Sequence, residues 1–363
     1  MLLTAALITR DEAHHLANCL SSIAPVVDEI VVVDTGSVDG TPDIAASFGA
    51  RVLHEPWRDD FAHARNTGLD AANGEWILYI DADETFTDDG DVREALRDRL
   101  LVAGLVRFHV ARAFTPYLEH RLFRNRPDIR FAGAMHETIT PAVQRAIEAD
   151  GGRVAPVPAT IDHHGYEGDQ TAKHRRNLPL LEQAVRDDPE RAFLWFHLGV
   201  VRAGLGDTDG ADAAWSEAVR RSRARGEMND IDVLAYVELA LHRVRAGRSA
   251  DHLVAELERQ RPADPLTRWA AAHQAMFEAR WADAIALLAP LRAIDPDTLL
   301  HTNLAYNRAI FGSLAAHATG TCWFHLGDDA AAAACFAEAR EADPGNEELL
   351  VKLQLATARA ARA

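Results

Sequence analysis

The chain has 363 residues, long for one domain, and two domains are the expectation. With 48% hydrophobic and 26% charged residues it can bury a sizeable core. Its 55 acidic against 38 basic residues, a net charge of -17, oppose broad binding to nucleic-acid phosphates or anionic lipid and allow at most a local basic pocket. The three cysteines, Cys19, Cys322 and Cys335, are odd in number and lack CxxC spacing. They argue against a disulfide framework or a zinc site and favour a reducing cytoplasm. The opening Met1–Ile8 run lacks a basic start and leads straight into Thr9-Arg10-Asp11-Glu12, so it reads as a buried strand rather than a signal peptide. No apolar run is long enough to cross a membrane.

The first third alternates strand-like and helix-like segments. Leu2–Thr9 is an uninterrupted apolar run suited to a central strand, and Asp11–Ile23 has helical spacing in Leu16, Cys19, Leu20 and Ile23. Glu29–Val33 is a β-branched strand that delivers Asp34. Thr41-Pro42-Asp43 places a cap residue before proline and opens a helix through Phe48. Arg51–His54 is a third strand; Phe61–Ala72 is helical and stops at Asn73-Gly74, a C-cap signal. Trp76–Ile80 is a fourth strand and delivers Asp81. This alternation predicts a mostly parallel sheet with helices on both faces. Ligands of such sheets sit beyond the carboxyl ends of the strands, where Asp34 and Asp81 both fall. Strand-like pieces follow at Leu105–Val110, Arg121–Phe123 and Val154–Ile161, separated by a loop-rich stretch from Arg124 to Glu137.

From about Thr171 onward the sequence is helical and rich in alanine. Trp195, Leu198, Gly199, Ala211, Trp215 and Ala218 occupy the spacing of a 34-residue helical-hairpin repeat. A second copy has Gly320, Trp323, Gly327, Ala332, Phe336, Ala339 and Pro344, and weaker copies end at Asp188-Pro189, Asp264-Pro265 and Asp295-Pro296. Small residues mark where two helices touch, a large one fills the gap, and proline stops the second helix. The segment is expected to be a tetratricopeptide-like solenoid of roughly four units.

Three constellations could carry chemistry. In Asp81-Ala82-Asp83-Glu84, alternation puts Asp81 and Asp83 on one side of an extended segment, a pair suited to a hard divalent cation that keeps positions open for phosphate. A lone motif of this kind is better explained by an acidic turn capping a strand; its place at a strand end beside Asp34 favours a site. The loop Asp34-Thr35-Gly36-Ser37-Val38-Asp39-Gly40-Thr41 lets a ligand approach the backbone closely, and Asp34 can accept a hydrogen bond from a base or ribose. Thr41 also reads as a plain helix cap. A dinucleotide-binding fold would need G-x-G-x-x-G after the first strand, where this chain has Thr9-Arg10-Asp11-Glu12-Ala13-His14, and a nucleotidyltransferase would want a glycine-rich basic loop there. In Trp57-Arg58-Asp59-Asp60-Phe61-Ala62-His63-Ala64-Arg65-Asn66, Arg65 and Asn66 can reach a nucleotide or diphosphate, although Arg65 alone reads as a surface or ion-pair residue.

The ordered series I-T-R-D-E, D-E-I-V-V-V-D-T-G-S-V-D-G-T, W-R-D-D-F-A-H-A-R-N and E-W-I-L-Y-I-D-A-D-E resembles family 2 glycosyltransferases of the GT-A fold. More narrowly it resembles the bacterial branch whose catalytic domain precedes tetratricopeptide repeats, which includes the S-glycosyltransferases of glycopeptide bacteriocins. Arg121–Asn125, Phe131–Glu137, His163–Tyr166 and Lys173–Asn177 resemble that branch as well, and the likeness spans about residues 4–345. Arg10-Asp11 replaces the usual Lys-Asn, and Val38 the usual Thr, both beside the nucleotide. The implied layout is a GT-A nucleotide-sugar-binding domain over residues 1–168 and a helical-repeat domain over 169–363.

Carried onto matching positions, the resemblance implies that Thr9 and Asp34 frame uracil and that Arg65 reaches the nucleotide or diphosphate. Asp81 would hold ribose or a metal-bound water, and Asp83 would bind Mg2+ or Mn2+ directly. His163 or His164 would complete the metal shell. Glu137, with His136 beside it, is the candidate general base; bracing the fold or orienting the acceptor is the equal alternative. The implied reaction is an inverting transfer from a UDP-sugar to a hydroxyl or thiol of a peptide, protein or small acceptor. A lipid-linked or envelope glycan as acceptor, and a non-catalytic nucleotide-binding scaffold, are the competing readings. The helical domain could dock an extended peptide or form a homodimer.

Overall fold

The computed structural model describes residues 1–165, 170–302 and 304–362. Two compact units emerge: one comprises residues 1–112, 116–184 and 300–305, the other residues 113–115, 185–299 and 306–363. The expected boundary between residues 168 and 169, and Tyr166 of the quoted motif, lie outside the described residues.

The first unit is built on a mixed sheet. Its strands are β1 (Leu3–Thr9), β2 (Glu29–Asp34), β3 (Arg51–His54), β4 (Trp76–Tyr79), β5 (Glu84–Asp88), β6 (Leu101–His109), β7 (Tyr117–Arg124), β8 (Arg153–His163) and the short β9 (His301–Thr302). Their order is β3-β2-β1-β4-β7-β6-β8-β5, with β9 beside β7. The parallel half, β3-β2-β1-β4, is the one foreseen from the strand-helix alternation. Beyond β4 the pairings β4–β7, β7–β6 and β8–β5 are antiparallel, while β6–β8 is parallel.

Helices cover both faces, which is why the central strands are apolar without alternation. On one face Leu3, Ala5, Leu7, Trp76 and Leu78 pack with α1 (Leu16–Ile23), α2 (Thr41–Ser47) and α4 (Val92–Ala95). On the other, Ala6, Ile77 and Phe123 pack with α3 (Phe61–Ala71) and α5 (Thr140–Asp150). The two-residue period of a strand divides neighbouring apolar side chains between two cores.

Three local expectations are corrected. Gly40, not Thr41, occupies the cap position of α2; Thr41 is its first residue, and its hydroxyl accepts the Glu12 N–H at 2.8 Å. The α3 helix ends at an extended Ala72 rather than at a left-handed glycine. Gly74 is required instead by a close approach, since a Cβ there would lie 2.7 Å from the Thr4 nitrogen. The helix expected from Asp11 begins only at Leu16, because Asp11 takes a left-handed conformation (φ 56°) and ties its loop to the next one.

The second unit is helical, built of four helical pairs and a final helix among the described residues. After α6 (Thr171–Asp187), which lies mostly in the first unit, come α7 (Ala192–Gly204), α8 (Thr208–Arg225), α9 (Asp230–Arg245) and α10 (Asp251–Gln260). They are followed by α11 (Pro265–Phe277), α12 (Trp281–Arg292), α13 (Ser313–Leu326), α14 (Asp329–Ala342) and α15 (Glu347–Ala360). Among the described residues the pairs α7–α8, α9–α10, α11–α12 and α13–α14 make four units, as the repeat spacing predicts. The contact logic holds in detail: a Cβ on Gly199 would meet the Trp215 ring at 2.4 Å, and one on Gly320 would meet the Phe336 ring at 2.8 Å. Asp264-Pro265 does not stop a helix. Asp264 caps α11 and Pro265 is its first residue, while Asp295-Pro296 opens a 3-10 turn. The same dipeptide signals both because a fixed proline φ suits a helix start and its missing N–H bars a continuation.

Candidate active site

Thr9, Asp34 and the acidic motif stand at neighbouring strand ends, since β1 lies between β2 and β4. Thr9 is opposite Asp34 in the β1–β2 ladder. Both are buried; the Thr9 hydroxyl has no hydrogen-bond partner among the described residues, and Asp34 accepts from the N–H groups of Gly36 and Ser37, at 3.2 Å for each. The loops that follow β1 and β2 are sewn together. Ser37 Oγ accepts the Asp11 N–H, Asp11 accepts the Val38 N–H, and Asp39 accepts the Ala13 N–H.

The motif itself is a closed turn. The Glu84 N–H donates to the Asp81 carbonyl at 3.1 Å, and the Cys19 thiol lies 3.4 Å from the same oxygen. Arg65 lies along α3, whose first turn is capped by Asp60 accepting from the His63 N–H. Only 9% of its side chain is exposed, so Arg65 is an interior residue rather than a surface one. Its guanidinium donates from Nη2 to Asp81 Oδ1 at 2.9 Å and from Nε to Glu137 Oε1 at 2.5 Å, while Nη1 is buried without a partner among the described residues. The rings of Tyr79 and Phe131 flank it at 5.0 and 5.5 Å. Asn66, the next residue, holds both the N–H and the carbonyl of Phe131, and the Phe61 N–H donates to Ala134. Thus α3 anchors the loop that carries Glu137. His136, beside it, has a left-handed backbone (φ 51°).

The two histidines part company. His163 Nε2 is 3.3 Å from Asp83 Oδ2, whereas the His164 ring turns to the Thr85 hydroxyl at 2.9 Å and only its backbone N–H meets the Asp83 carbonyl. Gly165 packs closely against this pair: a Cβ there would lie 1.9 Å from Asp83 Oδ2, so the carboxylate would have to shift.

Burial would raise the Asp81 carboxyl, yet Arg65 and Arg121 hold it below its ordinary value. Asp83 is likewise held down, by His163 against burial. Glu84 is pushed the other way by burial, and the Arg121 guanidinium opposes that rise. Glu12 is raised by burial and then by Asp83, and the Lys173 ammonium in α6 is lowered by burial and supported by Asp83. Both therefore lie within electrostatic reach of the motif.

Asp81, Asp83, Arg65, Glu137 and His163 come together in one cluster. Sequence reasoning gave no role to Arg121 or Lys173 and left Glu84 unassigned. Both basic residues lie inside stretches already singled out, Arg121–Asn125 and Lys173–Asn177; what was missing was a reason to prefer one basic residue over its neighbours.

Residues 4–144 match the family model described as glycosyl transferase family 2. The N-terminal unit carries a family 2 glycosyltransferase domain. A TPR repeat-containing protein of Synechococcus elongatus is 38% identical over 228 residues, covering 60% of this chain and 56% of that protein. The SPbeta prophage-derived glycosyltransferase SunS of Bacillus subtilis is 29% identical over 216 residues, covering 54% of this chain and 48% of that one. The chain thus spans about half the length of these curated relatives. Among solved structures, glucosyl-3-phosphoglycerate synthase from Mycobacterium tuberculosis, in complex with Mn2+ and UDP-glucose, is a distant likeness. It has a TM-score of 0.39 and 16% identity over 51% of this chain and 78% of that one. The family match places the strand-end acids and Arg65 inside the glycosyltransferase domain; His163 and Lys173 follow it in sequence.

Proposed function

We propose that this chain is an inverting, divalent-cation-dependent glycosyltransferase that moves a sugar from a UDP-sugar to a peptide or protein acceptor. The observation that carries the reading is Arg65. Buried inside a family 2 domain, it joins Asp81 of the strand-end motif to Glu137 of the adjoining loop, with Asp83 and His163 alongside.

The residues present fit a cation. Asp83 offers a hard carboxylate and His163 an imidazole, and substrate-bound Mg2+ or Mn2+ needs only one or two protein carboxylates when phosphates and water supply the rest. Held there, the ion would offset charge developing on the departing diphosphate. The protein's own groups do the remainder. Thr9 and Asp34 frame the base and ribose end, and Arg65 faces the diphosphate. Glu137, an ion-paired carboxylate, takes the acceptor's proton as its oxygen or sulfur attacks the anomeric carbon and the bond to the diphosphate breaks, releasing UDP.

A solenoid of helical pairs suits an extended peptide acceptor, and it also offers a surface for a second copy of the chain. The three buried, unpaired cysteines accord with a cytoplasmic location.

The test is UDP release from a panel of UDP- and GDP-sugars with a peptide acceptor, in Mn2+ and in EDTA. UDP-sugar turnover that EDTA abolishes is expected, together with a loss of about a hundredfold or more in Asp83→Asn at unchanged circular dichroism. Mn2+-stimulated release unaltered in Asp83→Asn would remove Asp83 from the reading. UDP binding with no release from any donor would favour the scaffold.

A further inference from the structure

We infer that the buried Arg121–Glu84 pair is a positioning device for the acidic motif. It fixes the backbone of Asp81 and thereby the directions in which Asp81 and Asp83 present their carboxylates to a cation and a diphosphate. The inference rests on the cation-binding reading given above.

Glu84 is 1% exposed, and both its carboxylate oxygens are committed. Oε1 accepts from Arg121 Nη2 at 2.8 Å; Oε2 accepts from Arg121 Nη1 at 3.1 Å and from the Asp81 N–H at 2.8 Å. The side chain therefore folds back on the turn it ends, while its own N–H closes that turn on the Asp81 carbonyl. Its backbone pairs with His163 across the β5–β8 ladder, so the same residue also sets the height at which the imidazole faces Asp83.

Arg121 is equally constrained. It is 6% exposed, donates from Nε to Glu119 Oε2 at 3.0 Å, and lies between the rings of Tyr79 and Phe108 at 4.5 and 4.6 Å. Tyr79 also flanks Arg65, so a single ring carries the guanidinium that grips the Asp81 side chain and the one that, through Glu84, grips its backbone.

Folding alone does not call for such a pair. A buried ion pair can often be replaced by apolar side chains of similar volume without loss of stability, because desolvation offsets most of the attraction. What the apolar pair lacks is a directional acceptor for the Asp81 N–H. Partners that orient metal-binding groups from behind are commonly worth about ten- to a hundredfold in metal affinity. That difference separates positioning from mere support.

The test uses the full chain with Mn2+ and UDP as probes. Bound Mn2+ is read from loss of the free-ion signal in electron paramagnetic resonance, and stability from thermal unfolding. Glu84→Met with Arg121→Met leaves the Asp81 N–H and the Glu119 carboxylate without these partners, so it should melt below the wild type but stay folded, and it should bind Mn2+ about tenfold more weakly in the presence of UDP. Arg121→Lys keeps the charge but loses the two-pronged grip, and should weaken Mn2+ binding several-fold while the protein stays folded. Mn2+ affinity within twofold of wild type in either folded variant overturns the positioning role and leaves the proposed function standing. Absence of UDP-dependent Mn2+ binding in the wild type overturns both.

Discussion

Arg65 shows how one side chain can have two structural meanings. Between Ala64 and Asn66 on a helix it reads as a surface or ion-pair residue; in the fold it is a buried ion-pair residue, the shared counter-charge of Asp81 and Glu137. Removing a buried partner leaves the remaining charges uncompensated, a far larger effect than losing an exposed pair. Arg65→Met is therefore expected to lower unfolding free energy by about 3 kcal/mol, discounted because Asp81 keeps some solvent access. It should also reduce UDP release by about a hundredfold or more. Urea unfolding and the release assay check the two parts separately; a variant as stable as wild type would mean that water replaces the guanidinium. The acids at the strand ends were legible because a run of apolar residues announces where a strand stops. The partners of those acids were not. Glu84 and Arg121 are 37 residues apart, and no local pattern links them. The choice between His163 and His164 likewise waited on the register of β8 against β5, since a one-residue slip would exchange the rings.

At the scale of elements, the repeat is the clearest case of a sequence specifying a contact. Gly199 and Gly320 recur in equivalent helices because each faces a large ring of the next helix, Trp215 and Phe336. Alanine at either position has to displace a packed aromatic, and overpacking of this kind costs about 1–3 kcal/mol. Gly199→Ala and Gly320→Ala should each lower the unfolding midpoint in chemical denaturation. Trp215→Leu combined with Gly199→Ala should cost less than the sum of the two changes, a coupling that a double-mutant cycle measures. Additive costs would mean that the glycine is not set by the ring. Elements without such a signature went unread. The strand β5 begins at Glu84, the last residue of the motif, directly after its turn, and α5 arises within a region of mixed texture. The antiparallel half of the sheet was also unread, because strand direction depends on where the chain returns rather than on composition.

For the whole molecule the dominant physical fact is its net charge of -17. Surplus like charge repels itself across the folded surface, and salt shortens the reach of that repulsion from about 30 Å at 0.01 M to about 8 Å at 0.15 M. At pH 7.5 the melting temperature should therefore rise by a few degrees between those salt concentrations. Near the isoelectric point of about 5.4 the gain should largely disappear. A melting temperature that falls with salt at pH 7.5 would show that the many local ion pairs, and not the net repulsion, govern the response.

By itself the sequence determined a parallel β-strand series with acids at its carboxyl ends, and a repeating pattern of small and large residues for helical pairs. These are short-range messages, carried by periods of two residues along a strand and by fixed offsets within a hairpin. Only the tertiary structure decided that Arg65 would span from Asp81 to Glu137, 72 residues away, and that His163 rather than His164 would turn to Asp83. It also decided that a buried arginine from β7 would brace the motif from behind. Each of those depends on strand order and register, which set distances between residues remote in the chain, and the free energy of a buried charge depends on just those distances.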